Sequence, residues 1–140
     1  MANEIFVDTS GFYALLIKAD DLHAAAVRIL REARRRKRRF VTSDYVLDET
    51  ATLLKARGHA HLLSAFFGSL LTSHACRTEW TDAERFHTCR AFFLKHVDQE
   101  WSFTDCLSFC IMKELRLSDA LTKDGHFGAA GFVALLKQLS

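Results

Sequence analysis

The sequence predicts an α/β protein of three layers, with a central, mostly parallel sheet between two helical layers. Ile5-Phe6-Val7 is a short unbroken apolar run, β-branched and aromatic, as expected of a strand buried on both faces. It stops at Asp8-Thr9-Ser10-Gly11 and gives way to a helical stretch at Phe12–Ile17. The same strand-then-helix order recurs down the chain, and right-handed connections turn such repeats into a parallel sheet flanked by helices.

The elements follow in order. The first helix is expected to end near Lys18, and Asp20-Asp21 offers an N-cap for a second one carrying Leu22, Ala25, Ala26, Ile29, Leu30 and Ala33 at helical spacing. Phe40–Ser43 reads as a brief strand. The helix after it has Val46, Leu47, Thr50, Ala51, Leu53 and Leu54 as its apolar side and stops near Gly58. Glu49 stands at the border of that stripe, while Asp48 shares a solvated face with Asp44 and Lys55. His59–Thr72 reads as another helix, and Ala75–Trp80 as a short strand. Thr81 and Glu84 have the spacing of a capping box for a helix reaching Val97. Trp101–Asp105 opens a helix that is apolar nearly all round, with Ser102 or Thr104 as its cap and Asp105 in its first turn. Ala120-Leu121-Thr122 reads as a strand and Lys123–Phe127 as a polar turn. Gly131–Leu136 fits either an edge strand or a short helix.

With 140 residues, 49% apolar and 26% charged, the chain suits one domain over residues 1–140 with a real core. No apolar run approaches the roughly 20 residues that span a bilayer. The acidic start Met1-Ala2-Asn3-Glu4 does not resemble a signal peptide, so a cytoplasmic address is expected. Cys76, Cys89, Cys106 and Cys110 have no paired metal-ligand spacing, and Cys106 and Cys110 read as small core residues. His87 and His96 have no acid or cysteine at ligand spacing. The net charge of +2 does not by itself indicate a nucleic-acid partner. Its distribution is more telling, because Arg34, Arg35, Arg36, Lys37, Arg38 and Arg39 are consecutive. They form either an RNA-binding patch or a solvated helix end complementing the helix dipole.

Four acids qualify by position. Asp8 and Asp124 follow strands, while Glu49 and Asp105 line or begin helices that follow strands. In a parallel sheet all of them converge on the carboxyl edge, where open α/β sheets bind ligands. Alternatively, Asp8 or Ser10 merely caps the first helix, Glu49 is a paired flank residue, and Asp105 answers the helix dipole. Convergent carboxylates repel one another and raise each other's pKa values unless a cation joins them. Mg²⁺ or Mn²⁺, hard ions that take oxygen ligands and favour phosphate-bearing substrates, would suit that role in phosphodiester displacement.

The segments Phe6-Val7-Asp8-Thr9-Ser10, Leu47-Asp48-Glu49-Thr50, Phe103-Thr104-Asp105-Cys106 and Leu121-Thr122-Lys123-Asp124-Gly125-His126-Phe127 resemble the PIN-domain signature. The length and the closing T-x-D-x-H-F segment are similar to the VapC-type ribonuclease toxins. The resemblance implies a metal-dependent endoribonuclease with Asp8, Glu49, Asp105 and Asp124 as metal-holding, catalytic acids. Thr9, Ser10, Thr104 and Thr122 match hydroxyl positions that orient such ligands. It also implies an RNA substrate, homodimers, and a cognate antitoxin whose C-terminal segment blocks the site. The basic run lies outside the signature. Competing readings are an RNA-processing PIN nuclease without antitoxin, a PIN module that binds RNA or protein without cutting, and a receiver-type phosphoacceptor. The last would leave Glu49 and Asp105 without a role.

Overall fold

A computed structural model describes residues 3–137. Met1 and Ala2, half of the opening segment read as lacking a signal peptide, lie outside the described residues. The strands are β1 (Ile5–Val7), β2 (Phe40–Ser43), β3 (Cys76–Glu79), β4 (Asp119–Leu121) and β5 (Val133–Ala134), in spatial order β3-β2-β1-β4-β5. Every neighbouring pair is parallel. Strand β1 is central, with Phe6 opposite Val41 on one side and Ala120 on the other, and its three residues are at most 2% exposed. An apolar run without alternation therefore marks a strand covered on both faces, as expected.

The helices are α1 (Thr9–Leu16), α2 (His23–Arg35), α3 (Asp44–Ala56), α4 (Leu63–Thr72), α5 (Ala83–Lys95), α6 (Phe103–Glu114) and α7 (Gly125–Ala129). They complete the three-layer arrangement. Helix α1 packs on α2 and α3, and α6 packs on α5 and α3. Helix α6 is the most deeply buried, with Cys106, Leu107, Phe109, Ile111 and Met112 at most 1% exposed. No helix among the described residues is long and apolar enough to cross a membrane.

Several boundaries differ from expectation, each for a local reason. Helix α1 begins directly at Thr9, with Asp8 at its N-cap position but without a side-chain cap bond. Asp20 does not cap α2; its carboxylate and carbonyl close the preceding turn by accepting from Leu22 N (3.1 Å) and His23 N (3.0 Å). The segment at 59–72 splits into a 3-10 turn (Ala60–Leu62) and α4. Asp82 rather than Thr81 caps α5, accepting from Arg85 N at 2.8 Å. Thr81 is engaged elsewhere, donating its hydroxyl to Asp44 at 2.7 Å. The capping box belongs to α6, where Ser102 and Asp105 exchange backbone and side-chain bonds. The polar turn after β4 contains α7, and the undecided Gly131–Leu136 segment holds the edge strand β5.

One close approach positions the site. A Cβ added at Gly11 would stand 2.1 Å from the Leu121 carbonyl oxygen, so the first turn of α1 rests directly on the end of β4. Gly11→Ala must separate the two elements. It should destabilise the protein by about 1–3 kcal/mol, as overpacking does. A lowered urea midpoint with an unchanged m-value would register it.

Candidate active site

The carboxyl ends of β1 and β4 lie side by side, joined by a hydrogen bond from Asp8 N to the Leu121 carbonyl at 3.3 Å. That pairing brings Asp8 beside Thr122 and Asp124. Asp8 is 6% exposed, and its Oδ2 accepts the Thr122 hydroxyl at 3.0 Å. Thr122 Oγ1 also accepts from Asp124 N (3.0 Å) and lies 3.0 Å from Ser10 Oγ, which in turn accepts from Lys123 N at 3.0 Å. Ser10 thus ties α1 to the loop after β4 rather than capping its own helix.

Glu49 reaches the site from α3, accepting the Thr9 hydroxyl at 2.5 Å, while Thr50 donates to Thr9 Oγ1 at 3.3 Å. Asp105 enters from the first turn of α6. Its Oδ2 accepts from Ser102 N at 3.1 Å and lies 3.0 Å from His126 Nδ1. The capping alternative and the site alternative hold together there, because one oxygen serves the helix and His126 while no protein donor meets Oδ1 among the described residues. Asp124 N-caps α7 through His126 N (2.8 Å) and faces the same imidazole at 3.4 Å. Ligand atoms of Asp105, Asp124 and His126 all lie within 4.8 Å of one another. Asp8, Glu49 and Asp124 line one cavity of about 430 Å³, together with Thr9, Ser10, Tyr13, Asp20, Leu53, Arg57 and Lys123.

Of the residues expected at the site, Thr104 stands apart. Its carbonyl accepts the Ser108 hydroxyl at 3.0 Å, and its own hydroxyl bonds none of the acids among the described residues. The basic run lies at the opposite, amino edge of the sheet, where the Arg39 carbonyl accepts Ile5 N at 3.0 Å. Arg38 is a structural clamp there, bonding Asp119 Oδ2 and the Asn3 carbonyl, each at 3.0 Å. Arg35 and Arg36 pair with Glu32. His126, Arg57 and Tyr13 are site residues to which the sequence reading assigns no role. His126 had a signal, two residues beyond Asp124 in the motif itself. Arg57 had one too, since Glu49, Leu53 and Arg57 recur every four residues on one stripe of α3.

The electrostatics call for a cation. Asp8 is pushed from the ordinary 3.8 up to about 6, foremost by loss of hydration. Hydrogen bonds from Thr122 and the Thr9 backbone pull it down, and the charges of Asp105 and Glu49 push it up further. His126 is raised above its usual range, chiefly by its hydrogen bond to Asp105. Carboxylate oxygens with one imidazole form a donor set suited to a small divalent ion.

A PIN-domain family model matches residues 5–133, and the chain belongs to the PIN-domain family. It is 35% identical over 130 residues to proteins named 23S rRNA-specific endonuclease VapC20, from the CDC 1551 and H37Rv strains of Mycobacterium tuberculosis. These alignments cover 92% of this chain and 95% of each relative. The crystal structure of Mycobacterium tuberculosis VapC20, described as a sarcin-ricin loop cleaving toxin, superposes with a TM-score of 0.83 at 34% identity. That match covers 92% of this chain and 96% of the other. Within the family the fold, the acid cluster and these relatives define a VapC-type, metal-binding endoribonuclease toxin.

The Asp8 shift has a stability consequence in metal-free protein. Its folded pKa lies above the unfolded value, so the penalty is absent below about pH 3.8, grows as pH rises to about 6, and is complete above that. At about 1.4 kcal/mol per unit, the cost near neutrality is on the order of 2–3 kcal/mol. In EDTA, Asp8→Asn should therefore be more stable than wild type at pH 7.5, with the gain vanishing toward pH 4. Urea melts at the two pH values check this, and a gain that is equal at both would refute it. Added Mn²⁺ should raise the melting temperature of wild type far more than that of Asp105→Asn or Asp124→Asn.

Proposed function

We propose that this nuclease uses Asp8, Glu49, Asp105 and Asp124 to hold Mg²⁺ or Mn²⁺ against the scissile phosphate of a structured RNA. The observation that carries the reading is the gathering of Asp105, Asp124 and His126 within 4.8 Å of one another, at the edge where the buried Asp8 stands. Such an ion supplies a nucleophile at neutral pH and positive charge for the phosphoryl and leaving oxygens.

The chain's own residues do the positioning. The Thr122 hydroxyl fixes Asp8 Oδ2 and simultaneously accepts from Asp124 N, so two acids from different segments share one reference point. Thr9 holds Glu49 Oε1 at the cavity mouth, where Glu49 is solvent-exposed. His126 holds a proton at Nδ1 against Asp105 until positive charge arrives to replace it.

The substrate favoured by the relatives is ribosomal RNA, cut in the sarcin-ricin loop of the large-subunit RNA. A cognate antitoxin inserting a basic side chain into the acid cavity would silence the site. A homodimer would set two such cavities along one groove, in the cytoplasm where ribosomes are met. Arg34, Lys37 and Arg39, at the far edge of the sheet, would serve only RNA remote from the cut.

Purified protein incubated with ribosomes or total RNA should produce a discrete fragment of the large ribosomal RNA with Mg²⁺ or Mn²⁺, and none with EDTA. Asp8→Asn and Asp124→Asn should abolish that fragment. Thr122→Val, which keeps shape but removes the shared hydroxyl, should lower the rate about 10- to 100-fold. Cleavage that persists in EDTA, or at the wild-type rate in Asp8→Asn, would sink the assignment.

A further inference from the structure

The mouth of the acid cavity carries a cation that none of the roles above uses. Arg57 follows the last turn of α3, at its C-cap, and lines the cavity with Glu49 and Leu53 from the same stripe. It is exposed, and no carboxylate pairs with it among the described residues. An arginine at such a place would ordinarily sweep a wide volume, but this one is held. Its guanidinium carbon sits 5.0 Å from the centre of the Tyr13 ring, within cation–π range. Tyr13 is itself fixed on α1, one turn beyond Thr9, and its hydroxyl lies 3.4 Å from His59 Nε2.

The geometry points to a phosphate subsite at Arg57, with Tyr13 as the positioning residue that presents it. The ligand is the nucleic-acid backbone next to the scissile bond, so the inference rests on the nuclease reading. The rise along α3 from Glu49 to Arg57 is about 12 Å, which sets Arg57 toward the rim of the cavity it shares with the acids. A neighbouring phosphate of the same strand lies within that reach. The charge logic is direct: a cavity walled by carboxylates repels a polyanion, and a strand can cross it only where cations flank it. Lys123, also exposed and lining the cavity, flanks the acids from the loop after β4. Arg57 flanks them from the end of α3. A guanidinium held over an aromatic ring loses less freedom on meeting phosphate than a loose side chain would.

The test measures binding of a labelled sarcin-ricin stem-loop transcript to full-length protein carrying Asp124→Asn, across a salt series, alongside cleavage kinetics of the otherwise wild-type chain. Arg57→Ala should flatten the slope of log K against log salt by roughly 0.7–0.9, the value of one phosphate contact. It should raise KM and leave kcat unchanged, because the lost contact serves ground state and transition state alike. Tyr13→Ala should reproduce both effects, and the double variant should be no worse than Arg57→Ala. Arg57→Lys should retain the salt slope, which gives a second reading if the alanine variant folds poorly. An unchanged slope and KM in Arg57→Ala, or effects of Tyr13→Ala and Arg57→Ala that simply add, would overturn the subsite alone. A wild-type chain that neither binds nor cuts the transcript would overturn the nuclease reading, and the subsite with it.

Discussion

A carboxylate buried at the end of the central strand is the constraint around which the rest of this structure is arranged. Asp8 is 6% exposed and is pushed up to about 6 by that burial. Charge in such a place is costly unless it is hydrogen-bonded and offset by an opposite charge. The fold supplies the first remedy through Thr122, whose hydroxyl reaches Asp8 only because β4 lies parallel beside β1. The second remedy would be a cation, which on the proposed assignment Asp105, Asp124 and Glu49 would share with Asp8 at the same edge. On that proposal stability is exchanged for affinity, because the metal-free protein carries a costly buried acid whose charge a bound ion would offset.

The same groups hold the backbone together and form the site. Asp105 closes the capping box of α6 and contacts His126, and Asp124 caps α7 while facing the same ring. Capping fixes a carboxylate against the first turn of a helix at low entropic cost, because the helix itself is anchored in the core. Helix α6 is anchored most firmly, its apolar residues filling the space between α5 and α3. Glu49 and Asp105 are therefore held within helices and Asp8 at the direct junction of β1 and α1, whereas Asp124 lies in the loop after β4. That residue is secured instead by the hydroxyl pair Ser10 and Thr122, 3.0 Å apart.

Much of this was legible in the sequence because the relevant signals are local. Ile5-Phe6-Val7 without polar alternation suits a strand covered on both faces, and parallel order then carries the residues after each strand to one edge. What escaped was decided by partners distant in sequence. Thr81 has the spacing of a cap, yet its hydroxyl is claimed by Asp44, 37 positions earlier, and Asp82 takes its place. Thr104 carries the motif spacing, but its hydroxyl does not meet the acids. The basic run has the composition of a phosphate patch, but its position before β2 puts it at the amino edge, and Arg38 is committed to Asp119 and Asn3. The cation at the cavity mouth, Arg57, meets the Tyr13 ring, a contact between α1 and the end of α3 that no local pattern encodes.

The bond between Thr122 and Asp8 spans 114 positions of the chain, and Asp124 and His126 come later still. The order of synthesis therefore matters to a nuclease whose close relatives are named for attacking ribosomal RNA. While it is being translated, the growing polypeptide holds Asp8 and Glu49 but neither the strand that buries the first nor the acids that complete the cluster. The acid cluster is thus assembled only once residues as late as Asp124 and His126 have been made and folded against the first strand.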